Sequence, residues 1–318
     1  MKVLILGGAG FIGVHLARRL VAEGNDVTIV DDFSRGKDDP ELTALGVPVQ
    51  HADLTDPAAF AAIGHGWDHV YMLAAVVGVR NVEKDPARVV RVNTLALMNL
   101  LDWLEPGSKL FFASTSEAYA GGVMAGLVPV PTAETVPLLI EDVASPRFAY
   151  GITKLWGEAA VIHTARAKGI SYVIGRFHNV YGPRMGADHV IPELLLRAMR
   201  REDPFRVYGT DQARAFCYVD DATDAMSQLM RCEAAAGQIV HIGNDREETN
   251  IGDLAKLVLQ VVDLAPELDV VPAPVGSVAR RCPDLTKLRA LTGFEPNVPL
   301  DEGVRRTHVW YRDHWLSS

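Results

Sequence analysis

Cysteine is scarce in this sequence: Cys217, Cys232 and Cys282 are the only three among 318 residues. They are far apart and odd in number, which argues against a disulfide framework and against a thiolate metal site. Histidine and carboxylate residues show no close grouping with ligand spacing. His163, His178 and His189 are scattered, so no metal is expected. Long apolar runs are missing too. None reaches the ~20 residues that a membrane-spanning helix needs. The apolar start, MKVLILGGAGFIG, is broken by glycine after Leu6, with no cleavage-site pattern behind it. A membrane is therefore not an expected partner, and the cytoplasm is the expected location. Positive charge is in deficit, with 31 Lys and Arg against 40 Asp and Glu and a formal net charge of −9. Such a chain lacks the broad basic footprint that a nucleic-acid backbone selects, so nucleic acid is not expected. A local pocket of arginines can still hold a small anion.

What is present is ordinary for a globular protein: 48% apolar and 22% charged residues. The length suggests about two domains. Residues 2–7, 26–30, 47–52, 68–74, 109–114 and 171–176 read as short buried strands. Residues 11–23, 56–63, 86–104 and 148–168 read as helices between them. Strands that are apolar throughout, alternating with helices, imply a parallel sheet covered on both faces. The alternation loosens after about Val180. Residues 222–231 and 239–242 look like a helix and strand returning to the main sheet, and 251–262 and 300–314 are amphipathic helices. The small-residue stretch 120–126 reads as a loop. The expected fold is an α/β, doubly wound parallel sheet with a smaller interleaved α/β lobe. The first domain would span 1–176 with about 215–242, and the lobe about 177–214 and 243–318.

Gly7, Gly10 and Gly13 follow the first strand and open the first helix. A tight turn needs a residue without Cβ, and a pyrophosphate needs close approach to backbone N–H groups at a helix N-terminus. Asp31 closes the second strand, where a carboxylate can accept from both ribose hydroxyls of an adenosine and repel a 2′-phosphate. NAD is therefore favoured over NADP, with Arg35 nearby as the one contrary charge. Asp53 and Leu54 follow the third strand and either flank the adenine or, in the case of Asp53, cap the helix before Pro57. Tyr150 and Lys154 are four apart in a helical segment and share a face. An adjacent ammonium favours tyrosinate, which can take a hydroxyl proton as hydride leaves for a nicotinamide. Lys154 can also bond the nicotinamide ribose. This spacing is common by itself and gains weight beside the glycine turn. Thr115 and Glu117 lie just past the strand 109–114, where ligands of an open parallel sheet bind. Thr115 can bond the reacting hydroxyl. Glu117 either moves a second proton or is a solvated loop carboxylate.

At this point the sequence resembles the extended short-chain dehydrogenase/reductases that act on nucleotide sugars. The resemblance rests on GGAGFIG at 7–13, LAA at 73–75, STSE at 114–117, Tyr150 with Lys154, HNVYGPR at 178–184, RAFCYVDD at 214–221 and RRCPD at 280–284. It implies a Rossmann domain holding NAD tightly, with Phe11, Ile12 and Ala74 joining the glycines, Asp31, Asp53, Leu54, Tyr150 and Lys154 around it. It implies a nucleoside-diphosphate sugar in the cleft to the lobe, contacted by Ser116 and Arg184. Asn179 would bind the diphosphate and Arg214 the nucleotide end. Tyr208 would lie near the base or serve in the core. Catalysis would fall to Thr115, Glu117, Tyr150 and Lys154. Helical faces at 93–104 and 152–167 are core or, as in the family, a four-helix homodimer interface.

The family chemistry passes through a 4-keto sugar, after which CO2 loss, 4-epimerisation or 4,6-dehydration can follow. The STSE string with Glu117 resembles both UDP-glucuronate decarboxylases and GDP-mannose 4,6-dehydratases. The segment Pro146-Arg147-Phe148-Ala149-Tyr150 resembles the decarboxylase domain of the bacterial aminoarabinose pathway, and Gly182-Pro183-Arg184-Met185 also fits the decarboxylases, which puts decarboxylation first. A 4-epimerase or 4,6-dehydratase is the alternative, and a non-catalytic NAD-binding sensor a remote one. Arg281 matches the family's carboxylate-side arginine, or else merely pairs with Asp284 or Glu295. Gly151, Ile152 and Thr153 inside the tyrosine motif, and the stretch 120–126, depart from the family pattern.

Overall fold

The alternating apolar runs pair side by side as one parallel sheet. The computed structural model describes residues 1–36, 39–273 and 277–315. The first half runs β1 (Lys2–Leu6), α1 (Phe11–Ala22), β2 (Asp26–Asp31), α2 (Pro40–Thr43), β3 (Val49–His51), α3 (Pro57–Ile63) and β4 (His69–Met72). It continues with α4 (Val79–Lys84), α5 (Pro86–Trp103), β5 (Lys109–Thr115), α6 (Ala120–Met124), α7 (Ala149–Lys168) and β6 (Ser171–Phe177). Then follow β7 (Val180–Tyr181), α8 (Val190–Met199), β8 (Phe205–Tyr208), β9 (Ala213–Ala215), β10 (Cys217–Tyr218), α9 (Val219–Arg231) and β11 (Gln238–Ile242). The chain ends with β12 (Glu248–Asn250), α10 (Ile251–Val262), β13 (Leu268–Val271), β14 (Arg280–Arg281), α11 (Thr286–Thr292) and α12 (Leu300–Trp315).

The main sheet has the order β3-β2-β1-β4-β5-β6-β11, all parallel. This is the doubly wound Rossmann arrangement. The chain reverses direction across the sheet between β1 and β4, where a crevice opens at the carboxyl ends of the strands. Period-2 alternation along β1 supplies both faces. Val3 and Ile5 join a core that includes Val14, Leu16 and Leu20 of α1 and Met226 and Leu229 of α9. Leu4 and Leu6 join the opposite core, with Leu97, Leu100 and Leu101 of α5 and Val161 of α7. As the sequence indicates, α9 and β11 return to this sheet: β11 pairs with β6, and α9 covers it beside α1.

The remaining strands form small sheets. β9 lies between antiparallel β12 and parallel β14, β13 pairs with β8, and β10 with β7. The register sets Arg281 opposite Arg214. Residues 281–284 are also tied to the loop that follows α6, since Thr132 donates to the Cys282 carbonyl at 2.9 Å and the Asp284 N–H to Thr132 at 2.7 Å.

One expectation is overturned. The stretch read as a loop at 120–126 forms α6 over Ala120–Met124. Packing is the reason. A Cβ at Gly121 would stand 2.7 Å from the Leu139 carbonyl and one at Gly122 2.7 Å from Val128 Cγ2. The two glycines let the following segment cross this turn closely, and tertiary contact overrides their low helix propensity.

Candidate active site

The glycine turn is built for backbone approach. Gly7 has φ +84°, and a Cβ there would stand 2.6 Å from Ala74 N. A Cβ at Gly13 would stand 2.5 Å from the Gly7 carbonyl oxygen. Gly10 caps α1 without any side-chain acceptor, so the first N–H groups of the helix face the crevice unmet by the cap. That is the donor set an anionic pyrophosphate requires. Phe11 and Ile12 pack half-buried against the core beside it.

Asp31, at the end of β2, accepts from Ala9 N at 3.0 Å and Phe33 N at 2.8 Å. Burial raises its carboxyl against those two bonds. One bond on each oxygen leaves lone pairs for a ribose. The residues present therefore fit NAD. Asp53 is turned onto Thr55, accepting from its N–H and hydroxyl, both at 2.8 Å. It does not cap α3, because Asp56 does so by accepting from Ala58 N. Leu54 is buried with Leu6 and Met72 beneath the turn. Arg35 donates to the Val77 carbonyl at 3.2 Å.

The strand end and α7 bring Thr115, Tyr150 and Lys154 together. The Thr115 side chain lies toward the Tyr150 hydroxyl and favours its ionised form. Lys154 is 4% exposed, with Nζ 4.9 Å from the Phe112 ring centre and 5.8 Å from that of Tyr150. Burial pushes its ammonium down to about 8. The expected tyrosinate is not what this environment favours: burial, then the Glu117 charge, hold the Tyr150 proton on more firmly than in water. Next to Thr115, Ser114 Oγ donates to Glu158 at 2.5 Å. Glu158, on the same face of α7 as Tyr150 and Lys154, receives Arg176 Nε at 2.8 Å and Nη2 at 2.7 Å. Tyr119, His178 and His241 close the layer beneath, with Tyr119 Oη 2.7 Å from His178 Nε2.

Glu117 is not a solvated loop carboxylate. Arg281 Nη1 donates to its Oε1 at 2.5 Å, and Arg147 Nη2 stands 3.8 Å from its Oε2. Burial raises its carboxyl, but Arg281, Arg147 and Arg214 more than cancel that, and the net shift is downward. Arg281 therefore does not pair with Asp284 or Glu295. Glu295 is taken by Arg246 and Arg289, at 2.9 and 3.0 Å. Arg214, pushed down to about 10 by burial and by Arg281, donates to the Ala213 and Ala279 carbonyls and to Gln212.

Ser116 is buried beside Glu117. Asn179, at φ +41°, donates to the Ala215 carbonyl at 3.0 Å. Tyr208 is 43% exposed and takes no part in the core. Arg184 stands apart from the arginine cluster. It reaches across the glycine turn to Asp39 at 2.6 Å and Glu41 at 2.8 Å. Its Nη1 binds both carboxylates and its Nη2 lies 3.4 Å from the Ala9 carbonyl, so two acidic side chains already neutralise the charge expected to face a sugar phosphate. Arg147 is the cluster member that sequence reasoning did not place in the site, although its position three residues before Tyr150 was the available signal. Among the described residues, no group of three His, Cys, Asp or Glu could hold a metal ion, and no helix is long and apolar enough to cross a membrane.

A model of the NAD dependent epimerase/dehydratase family matches residues 3–243. The chain is similar to the UDP-N-acetyl-alpha-D-glucosaminuronate decarboxylase of Bacillus cytotoxicus, 34% identical over 98% of each chain. It is 30% identical to UDP-glucuronic acid decarboxylase 1 of Xenopus tropicalis, over 98% of this chain and 72% of that protein. Among solved structures, the UDP-glucose 4-epimerase of Thermotoga maritima with UDP-glucose superposes with a TM-score of 0.85. It is 31% identical, with 99% of this chain and 100% of that one covered.

Proposed function

The chain belongs to the NAD dependent epimerase/dehydratase family, and from that premise we propose that it removes CO2 from a UDP-linked hexuronate. It is an NAD-dependent enzyme of nucleotide sugars. The observation that carries the decarboxylase reading is the single Glu117 carboxylate faced by Arg281, Arg147 and Arg214. The nucleotide end accounts for Arg214, but a neutral hexose has no use for the two further guanidiniums, Arg281 and Arg147, that flank Glu117, whereas a C6 carboxylate does.

Bound NAD supplies the acceptor for a hydride from the sugar and the donor that returns it. The chain's own groups do the rest. Thr115 and Tyr150 hold the C4 hydroxyl. To take its proton Tyr150 must first shed its own, which the Lys154 ammonium and the positive charge that bound NAD would supply favour against the burial described above. Lys154, beneath the tyrosine ring, offers positive charge to the oxygen that develops. Arg281 seats the sugar carboxylate. With a ketone at C4, that carboxylate belongs to a β-keto acid. The C5–C6 bond breaks, CO2 leaves, and the electron pair passes to the oxygen held by Thr115 and Tyr150. C5 then takes a proton, a step for which Glu117 is the relay. The half-exposed apolar residues Val90 and Met98 of α5 suit a homodimer formed through α5 and α7.

The test is incubation with UDP-glucuronate and with UDP-N-acetylglucosaminuronate, read by mass spectrometry. Loss of one CO2 from either supports the reading, and loss from neither discards it. Tyr150→Phe should lower turnover by about 100- to 10,000-fold. Undiminished turnover would remove the tyrosine from the mechanism.

A further inference from the structure

Arg147 is a guanidinium with unspent donors. It sits in the turn just before α7, and its Nε is buried with no hydrogen-bond partner among the described residues. Its one ion-pair neighbour there is Glu117, and 3.8 Å is too long for a hydrogen bond. Leaving a buried N–H of a charged group unmet is costly, and here the cost falls beside the reacting carbon rather than in a remote core. The opposite oxygen of Glu117 is held tightly by Arg281, at 2.5 Å. One carboxylate thus spans two guanidiniums, closed against one and open toward the other.

We propose that Arg147 reads the sugar carboxylate together with Arg281, and that Glu117 holds that place until the substrate arrives. This assignment rests on the hexuronate reading above and adds the residue that selects for it. The incoming carboxylate takes the two forks in the bidentate fashion that guanidiniums favour. Glu117 is displaced and loses its Arg281 partner. Burial, no longer offset, then raises its affinity for a proton, which suits a group that must give one to C5. The third guanidinium, Arg214, is already depressed by burial and by Arg281. The cluster is thus short of negative charge even with Glu117 in place.

Titration calorimetry on the NAD-loaded protein tests this with UDP-glucuronate and UDP-glucose, which differ only at C6. All proteins carry Tyr150→Phe so that the sugar is not consumed. The parent should prefer the uronate. Arg147→Met should weaken the uronate by about 10- to 100-fold and leave UDP-glucose unchanged, and Arg147→Lys should recover part of the loss. Glu117→Gln, which removes the resident carboxylate, should bind the uronate more tightly than the parent does. A preference that survives Arg147→Met, or an equal loss for both sugars, overturns the assignment. Failure of Glu117→Gln to tighten the uronate overturns the placeholder. CO2 release by the unmodified enzyme is scored separately. Its absence alongside an Arg147-dependent preference would sink decarboxylation and leave the carboxylate reader standing.

Discussion

Replacing Glu158 with glutamine removes one charge from an ion pair that is almost wholly enclosed, while keeping the side chain's shape. Glu158 and Arg176 are only 3% and 2% exposed. The carboxylate accepts three bonds, from Ser114 Oγ, Arg176 Nε and Arg176 Nη2. An amide oxygen in the Oε1 position can keep two of them, from Ser114 and Arg176 Nε, but its NH2 is then turned toward Arg176 Nη2. Arg176 would retain its Nε bond, the Glu134 carbonyl at 2.9 Å and the Tyr119 ring, but no counter-charge. A buried guanidinium deprived of its counter-ion costs about 3–5 kcal/mol. For a chain of this size that lowers the unfolding midpoint by roughly 5–8 °C. Thermal and urea unfolding of Glu158→Gln without cofactor would measure it. Removing both charges, as Glu158→Met with Arg176→Met, should cost less than Glu158→Gln alone, because no orphaned charge remains. Turnover should fall as well, since Ser114 adjoins Thr115 and the pair fixes β5 against the helix that carries Tyr150. A loss below about 1 kcal/mol, or a double variant less stable than the single one, would refute this account.

Lys154 offers a test with the opposite sign. Burial depresses it from 10.5 to about 8. The penalty is therefore complete below the folded value and fades as pH rises to the unfolded one. Lys154→Met should gain up to about 3 kcal/mol at neutral pH. That gain should vanish above pH 10.5, while turnover collapses at every pH. Paired melts of both proteins across this range check it, and a difference that ignores pH counts against the burial argument. At the glycine turn, Gly13→Ala forces a Cβ to within 2.6 Å of Gly8 Cα, a backbone atom that cannot step aside. The purified variant should carry at least about tenfold less NAD, measured after heat release, because the donors at the helix start lose their geometry. Full NAD content would mean that the cradle is not needed.

Much of this arrangement was legible because it is local or periodic. The strands β1, β2 and β5 announce themselves as apolar runs, and the glycines, Tyr150 and Lys154 lie within one turn or one helix. Asp31 is readable because a strand end and a helix start are neighbours in a parallel sheet. The rest depends on contacts between distant segments. Glu117 and Arg281 meet across 164 residues through the short pairing of β14 with β9, and two residues of strand carry too little pattern to detect. Arg184 looked like a phosphate ligand by type, yet Asp39 and Glu41 neutralise it, and charge pairing of that range has no periodicity. The glycines of α6 signalled a loop, because the segment around Leu139 that crosses them too closely for a Cβ is invisible to a local reading. Asp56 rather than Asp53 caps α3, a three-residue ambiguity that only the bond to Ala58 resolves.

The separation of Glu117 from Arg281 has a consequence during synthesis. A ribosome adds about 5–20 residues per second, so the arginine emerges roughly 10–30 s after the carboxylate it will hold. Throughout that interval a nascent chain can complete the glycine turn and most of the main sheet while the sugar-facing carboxylate lacks its counter-ion. The glycine turn and its helix can thus form on the translating ribosome before the Glu117–Arg281 pair can.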